Sequence, residues 1–231
     1  MTEMSYPVNH LLAIHGLHIL KSSAPKPLLD NISVFIQAGD RISLEGGSGS
    51  GKSLLLRSIT QLEILNQGEF IWKGKPIHKA DIPLYRSHVI YLHQRPSLGA
   101  GTVEDSLRQV LTLKIHQGKK CSESMTAHYL AEIGLDKAFL HKGIHNLSGG
   151  EAQITALLRA IQLKPEILLL DEPTAALDAE KAAVIEKIID CWFAEAPENR
   201  AYVWVTHNMD QAARVSNKAW KMVQGKLSIS Y

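Results

Sequence analysis

Gly46-Gly47-Ser48-Gly49-Ser50-Gly51-Lys52-Ser53 decides the fold. The stretch meets G-x-x-x-x-G-K-[ST] at each fixed position, and each part of that pattern has a physical task. Glycines let the backbone turn tightly and aim successive N–H groups at one point, which makes a concave seat for an anion. A helix opening near Gly51 adds the positive end of its dipole. Lys52 supplies a mobile cation for the outer phosphates, and the Ser53 hydroxyl is suited to ligate Mg2+. A dinucleotide loop, G-x-G-x-x-G, is the rival reading. With Gly47 and Gly49 in place it needs glycine at position 52, where lysine stands. A Gly/Ser turn followed by a surface lysine is the plainer reading.

The flanks favour the phosphate loop. Arg41-Ile42-Ser43-Leu44-Glu45 reads as a strand running into it, and Leu54-Leu55-Leu56-Arg57-Ser58-Ile59 continues as a helix beyond it, the order the chemistry needs. Further out, Leu11–Leu20, Ile32–Gln37 and Glu69–Trp72 read as strands, with a Pro/Ser/Lys connection over 21–27 and a tight turn at Lys73-Gly74. These predict an antiparallel sheet beside the phosphate-loop strand. Val89–Leu92 is a short buried strand. From Thr102 to about His145 the pattern is helical, with helices opening at Thr102 and spanning about Ser124–Ile133.

Ile167-Leu168-Leu169-Leu170 is apolar throughout and ends in Asp171-Glu172. Strands apolar on both faces belong to parallel sheets covered by helices. Ala179–Ala194 reads as a helix and Ala201–Thr206 as a second buried strand ending at His207. Strand, helix, strand with short links predicts a parallel α/β core. The expected fold is an α/β phosphate-loop NTPase core over about 11–94 and 165–231. An antiparallel β part flanks it, and an α-helical subdomain over about 95–164 is inserted.

Composition narrows the rest. With 231 residues, 45% of them hydrophobic, the chain can bury a full core. A formal net charge of +2 gives no electrostatic case for nucleic-acid binding. Lys73, Lys75 and Lys79 are expected to be solvated around a turn. Cys121 and Cys191 form no C-x-x-C pair, so a reducing compartment without disulfides is expected. Met1–Asn9 lacks the features of a signal peptide, and no apolar run approaches the ~20 residues that cross a bilayer. The eleven histidines show no closed set of metal ligands.

In open parallel sheets, ligands sit beyond the carboxyl ends of strands. The phosphate loop, Asp171-Glu172 and His207 all occupy such ends, so they are expected to converge. Asp171 suits Mg2+ and Glu172 suits orientation of an attacking water. The competing reading is that both acids cap a helix after Pro173.

At this point the chain resembles the nucleotide-binding subunit of ABC transporters over essentially its whole length. The most specific element is Leu147-Ser148-Gly149-Gly150-Glu151, which resembles the family's signature sequence. Ser148 and Glu151 also form a capping box for the helix that follows, to about Leu163. The resemblance implies that Gly46–Ser53 is Walker A, with Leu54 next to it in the ATP site. It implies that Gln94 contacts Mg2+ together with Ser53 and Asp171, and that Glu172 is the general base. Asp178, in Ala176-Leu177-Asp178, crosses a dimer interface, and His207 senses the γ-phosphate. It further implies ATP as substrate and a homodimer closed around two ATP. Signature residues there act in trans, on nucleotide held by the second copy. Separate membrane permease subunits and a place on the cytoplasmic face of the cell membrane follow. The Gln94 region and compact layout also resemble the ATPase half of bacterial two-component iron exporters, although Gly101-Thr102-Val103-Glu104-Asp105 is shared across the superfamily. No carboxyl-terminal regulatory domain is expected after Tyr231.

Several positions depart from the family pattern. Gly16-Leu17-His18-Ile19-Leu20 lacks the aromatic residue that stacks on adenine, and Leu54 replaces a threonine that bonds the α-phosphate. Weak ATP affinity is therefore expected, to be tightened by Leu54→Thr with Ile19→Tyr. Ile154, Ala175 and Asn208 replace an arginine, a serine and an acid. A soluble single-cassette ATPase serving an iron–sulfur assembly or cell-division complex is the alternative function. DNA-repair and translation ATPases of the superfamily are disfavoured by length.

Overall fold

A computed structural model describes residues 10–20 and 26–230. Met1–Asn9 and most of the expected connection over 21–27 lie outside the described residues. The described chain divides into two compact units. One holds the residues up to Tyr91, Glu166–Leu169 and Pro197 onward; the other holds Leu92–Pro165 and Leu170–Ala196.

The first unit carries two sheets. Strands β1 (His10–Ile19), β2 (Leu29–Gln37), β4 (Gln67–Trp72) and β5 (Lys75–Pro76) form an antiparallel sheet in the order β2-β1-β4-β5. Alternating burial along β2 places Val34 and Ile36 inward and leaves Phe35 outward, as the two-residue period of a strand requires. The second sheet has the order β10-β9-β3-β8-β7-β6, with β3 (Arg41–Glu45), β6 (Val89–Leu92), β7 (Ile167–Leu170), β8 (Ala201–Val205), β9 (Lys218–Val223) and β10 (Lys226–Ser230). β3 runs parallel to both β8 and β9. Strand starts also meet further along: Ala201 N donates to Glu166 O, and Glu166 N donates to His88 O. Every residue of β7 and β8 is buried, as the continuous apolar runs predict. Helices α1 (Lys52–Ile59) and α2 (Ile82–His88) belong to this unit, and so does α7 (Met209–Val215). Its core gathers Leu12, Ile14 and Ile36 from the antiparallel sheet with Ile42, Leu44, Val203 and Val205 from the parallel one.

Lys73 does more than solvate a turn. Its ammonium lies 2.5 Å from Glu166 Oε1 and 5.5 Å from the centre of the Trp72 ring. Glu166 also accepts from Trp72 Nε1 at 3.3 Å and lies 3.0 Å from His88 Nδ1. Burial raises its pKa, but these hydrogen bonds and charges outweigh that and hold it below the usual glutamate range.

The second unit is helical: α3 (Val103–Gln109), α4 (Glu123–Glu132), α5 (Gly149–Ile161) and α6 (Ala179–Ala194). α5 packs against α3 and α6 and is buried nearly all round, which marks it as the central helix of the unit. Ile154 is 8% exposed, so an apolar residue there serves packing. Each helix opens on a side-chain cap: Thr102 for α3, Ser122 for α4, Ser148 for α5 and Asp178 for α6. Among the described residues no helix is long and apolar enough to cross a membrane.

Candidate nucleotide site

The phosphate loop follows directly from the end of β3. β3 and β8 stand in parallel register, Leu44 opposite Val205, so the loop and His207 leave the sheet at the same end. Glu45, Gly46, Gly47, Thr206, His207, Asn208 and Met209 line an open cleft of about 280 Å³ there. Gly46 sits at φ 149°, and a Cβ on it would lie 2.3 Å from Met222 O on β9. Only glycine fits that position. Gly51, at φ 107°, precedes α1 as its N-cap. Ser50 O accepts from Gly225 N at 3.0 Å, so the β9–β10 turn backs the loop.

Lys52 is 6% exposed. Its Nζ donates to Gly46 O at 2.8 Å and to Gly47 O at 3.1 Å. The cation is thus folded back over the carbonyls of its own loop. His207 is exposed at the mouth of the cleft. Asn208 caps α7 by accepting from Gln211 N at 3.0 Å, and its own N–H donates to Thr206 Oγ1 at 3.1 Å. Leu54 is half-buried against the core. Ile19 belongs to the core at 6% exposure, so it cannot be the position that a stacking tyrosine would occupy. The outward residue of that stretch is Leu20, 49% exposed at the end of β1.

The acids lie in the second unit. Asp171 follows the last residue of β7 and is 5% exposed, its N–H donating to Leu92 O at 3.0 Å. Glu172 adopts φ 49°, a left-handed backbone that costs a non-glycine residue roughly 1–3 kcal/mol. No helix opens after Pro173. Residues 173–176 form a turn, and α6 starts at Ala179, capped by Asp178. The acids therefore do not cap a helix at Pro173. Gln94, on an exposed loop, donates Nε2 to Glu172 Oε2 at 3.0 Å, joining residues 78 positions apart.

The signature stretch opens α5. Ser148 Oγ accepts from Glu151 N at 3.3 Å, and Ser148 N donates to Glu151 Oε2 at 2.9 Å, completing the expected capping box. Hydrogen bonding from Lys142 holds the Glu151 carboxyl below the usual range. Leu147 is half-buried, while Ser148 and Gly149 are exposed. A Cβ on Gly149 would meet nothing within 4 Å; one on Gly150 would meet the flexible Lys181 side chain at 2.9 Å. Asp178 accepts from Lys181 N at 2.9 Å, and its carboxylate pairs with the Lys181 ammonium.

Sequence patterning does not single out Gln153. It is 7% exposed on α5 and donates Nε2 to Gln94 O at 2.7 Å. Its only sequence signal is a polar residue on the buried face of an apolar helix.

Known proteins resemble the chain as a whole. The profile of the family described as ABC transporter matches residues 29–175. The chain belongs to the ABC transporter family. It is 33% identical over 201 residues to "Probable iron export ATP-binding protein FetA" of Escherichia coli K12, covering 87% of this chain and 86% of that one. It is 32% identical over 232 residues to the histidine/lysine/arginine/ornithine transport ATP-binding protein HisP of Salmonella typhimurium, covering 93% and 87%. In fold it matches a dimeric ATP-binding cassette in a post-hydrolysis state bound to ADP and Pi. That match has a TM-score of 0.79 and 23% identity, over 94% of this chain and 96% of that one. The protein is thus an ATP-binding subunit of the ABC transporter family, an α/β ATPase.

Proposed function

We propose that two copies of this chain close around two ATP molecules and drive transport through separately encoded membrane subunits, docked on the cytoplasmic face of the cell membrane. The observation that carries the reading is Gly149. Its own fold leaves a methyl group's worth of open space there, yet glycine loses more conformational freedom on folding than alanine would. A residue that costs stability and relieves no crowding within its chain fits the close approach of an outside body. The start of α5, where Ser148 and Gly149 are exposed, suits a terminal phosphate.

In this reading the loop N–H groups and Lys52 hold the phosphates and offset charge growing on the transferred phosphoryl group. Ser53, Gln94 and Asp171 are the oxygen donors that would hold Mg2+, which would supply counter-charge to the phosphates. Glu172 takes a proton from the attacking water and His207 holds the γ-phosphate geometry. Asp178 stands at the dimer interface. The transported species is encoded in the membrane subunits; the likeness to FetA favours a metal such as iron moving outward.

Glu172→Gln should bind ATP, lose turnover and elute as a dimer in sizing chromatography with ATP. A variant that stays monomeric with ATP bound would count against the dimer, and wild-type turnover would remove Glu172 from its role.

A further inference from the structure

The stretch between α3 and α4 concentrates charge that the rest of the chain lacks. Residues 106–122 hold Arg108, Lys114, Lys119 and Lys120 and no carboxylate. The chain's formal net charge is +2, so all other residues together carry −2. Arg108 pairs with Glu104 at 2.6 Å, one turn back along α3. Lys114, Lys119 and Lys120 are exposed, and among the described residues none of the three forms an ion pair.

The same stretch inverts the usual partition of side chains. Leu113 is 56% exposed and Ile115 40%, while His116 beside them is 3% exposed. Leucine and isoleucine are ordinarily among the most buried residue types, and histidine is intermediate. A lone exposed aliphatic side chain needs no explanation. Here two stand within three positions, among lysines, next to a buried imidazole. Local turns hold them there: His116 N donates to Leu113 O at 2.8 Å, Gln117 N to Lys114 O at 3.2 Å and Lys119 N to His116 O at 2.9 Å.

Aliphatic side chains among unopposed cations match a surface that is anionic at its face and apolar just beneath. A bilayer with anionic lipids has that order, headgroups outside and acyl chains within. A nucleic acid offers the charge without the apolar layer. We infer that residues 112–120 rest on an anionic lipid surface, with Lys114, Lys119 and Lys120 at the headgroups and Leu113 and Ile115 in the interface. The contact goes beyond the transport reading, because it is made to lipid and not to a membrane subunit. Three lysines and two aliphatic side chains bind weakly and reversibly. Their contribution adds to any other tether at the bilayer by raising the effective concentration.

Flotation of the purified full chain with vesicles tests this, without ATP or any membrane protein. Binding should appear on phosphatidylcholine vesicles carrying about one third phosphatidylglycerol, be absent on phosphatidylcholine alone, and weaken as salt is raised. Lys119→Gln with Lys120→Gln should lower the partition coefficient about 25-fold, at about fivefold per lysine. Leu113→Ser with Ile115→Ser should lower it at least about threefold while keeping the salt dependence. Both double variants should hydrolyse ATP in solution as the unaltered chain does, which also shows them folded. Equal binding to the two vesicle types, or unchanged binding in either double variant, would overturn the inference. No binding to either vesicle would overturn it as well and would turn the patch toward an acidic protein surface. ATP-driven dimerisation plays no part in flotation, so this inference and the transport reading can each fail alone.

Discussion

The phosphate loop and the signature turn are both glycine-rich helix starts, yet they use glycine for opposite reasons. Gly46 is enforced from within: its φ is positive and Met222 O closes the space a Cβ would need. Gly149 is enforced by nothing in its own chain, and its neighbour Ser148 is exposed. At the first, Lys52 folds back onto its own loop at 6% exposure; at the second, only the helix cap is satisfied. The difference teaches that similar motifs can use glycine differently, one because its own fold leaves no room for a side chain and one where its own fold leaves room.

Alanine substitutions break or sharpen this contrast most strongly. Gly46→Ala should destabilise by at least about 1–3 kcal/mol, from strain and a backbone clash, and thermal melting should fall with turnover. Gly149→Ala should leave melting unchanged or raise stability by up to about 1 kcal/mol, while turnover and ATP-dependent association drop at least about tenfold. Equal melting losses at both positions would erase the distinction.

The two regions were also unequally legible. The Ser148/Glu151 box is a local pattern, readable because its two partners lie three residues apart, and the Lys52 bonds to Gly46 and Gly47 are nearly as local. Strands β7 and β8 were legible from unbroken apolar runs. What stayed hidden depends on residues far apart in the chain. Lys73 finds Glu166 across 93 positions, and Gln94 meets Gln153 across 59. Ile19 looked open to substitution because periodicity alone does not say which face of β1 meets the core. Burial places Ile19 inside and Leu20 outside.

The Lys73–Glu166–His88 cluster gives the next effect, on stability alone. Glu166 titrates below the usual glutamate range, so its contribution is present above that range and is lost as pH falls through its folded value. Glu166→Gln should cost about 1–2 kcal/mol near neutral pH, allowing for the half-exposed Lys73. It should also flatten the acid limb of the stability–pH curve. An unaltered acid limb would show the cluster contributes nothing there.

The smallest effect is on affinity. Leu54→Thr with Leu20→Tyr should lower the ATP dissociation constant about three- to tenfold by adding a hydrogen bond and a stacking surface. Isothermal titration against wild type reads it, and unchanged affinity would mean that the missing aromatic does not limit binding.

Complementation between two inactive variants tests the central claim most directly. Lys52→Ala removes the phosphate cation, and Ser148→Arg blocks the signature turn; each alone should be inactive. If the signature acts on nucleotide held by the other copy, mixing them creates one intact composite site per mixed pair. Turnover should then rise toward about one quarter of wild type under random pairing. No recovery on mixing, with mixed dimers demonstrably formed, would contradict the account.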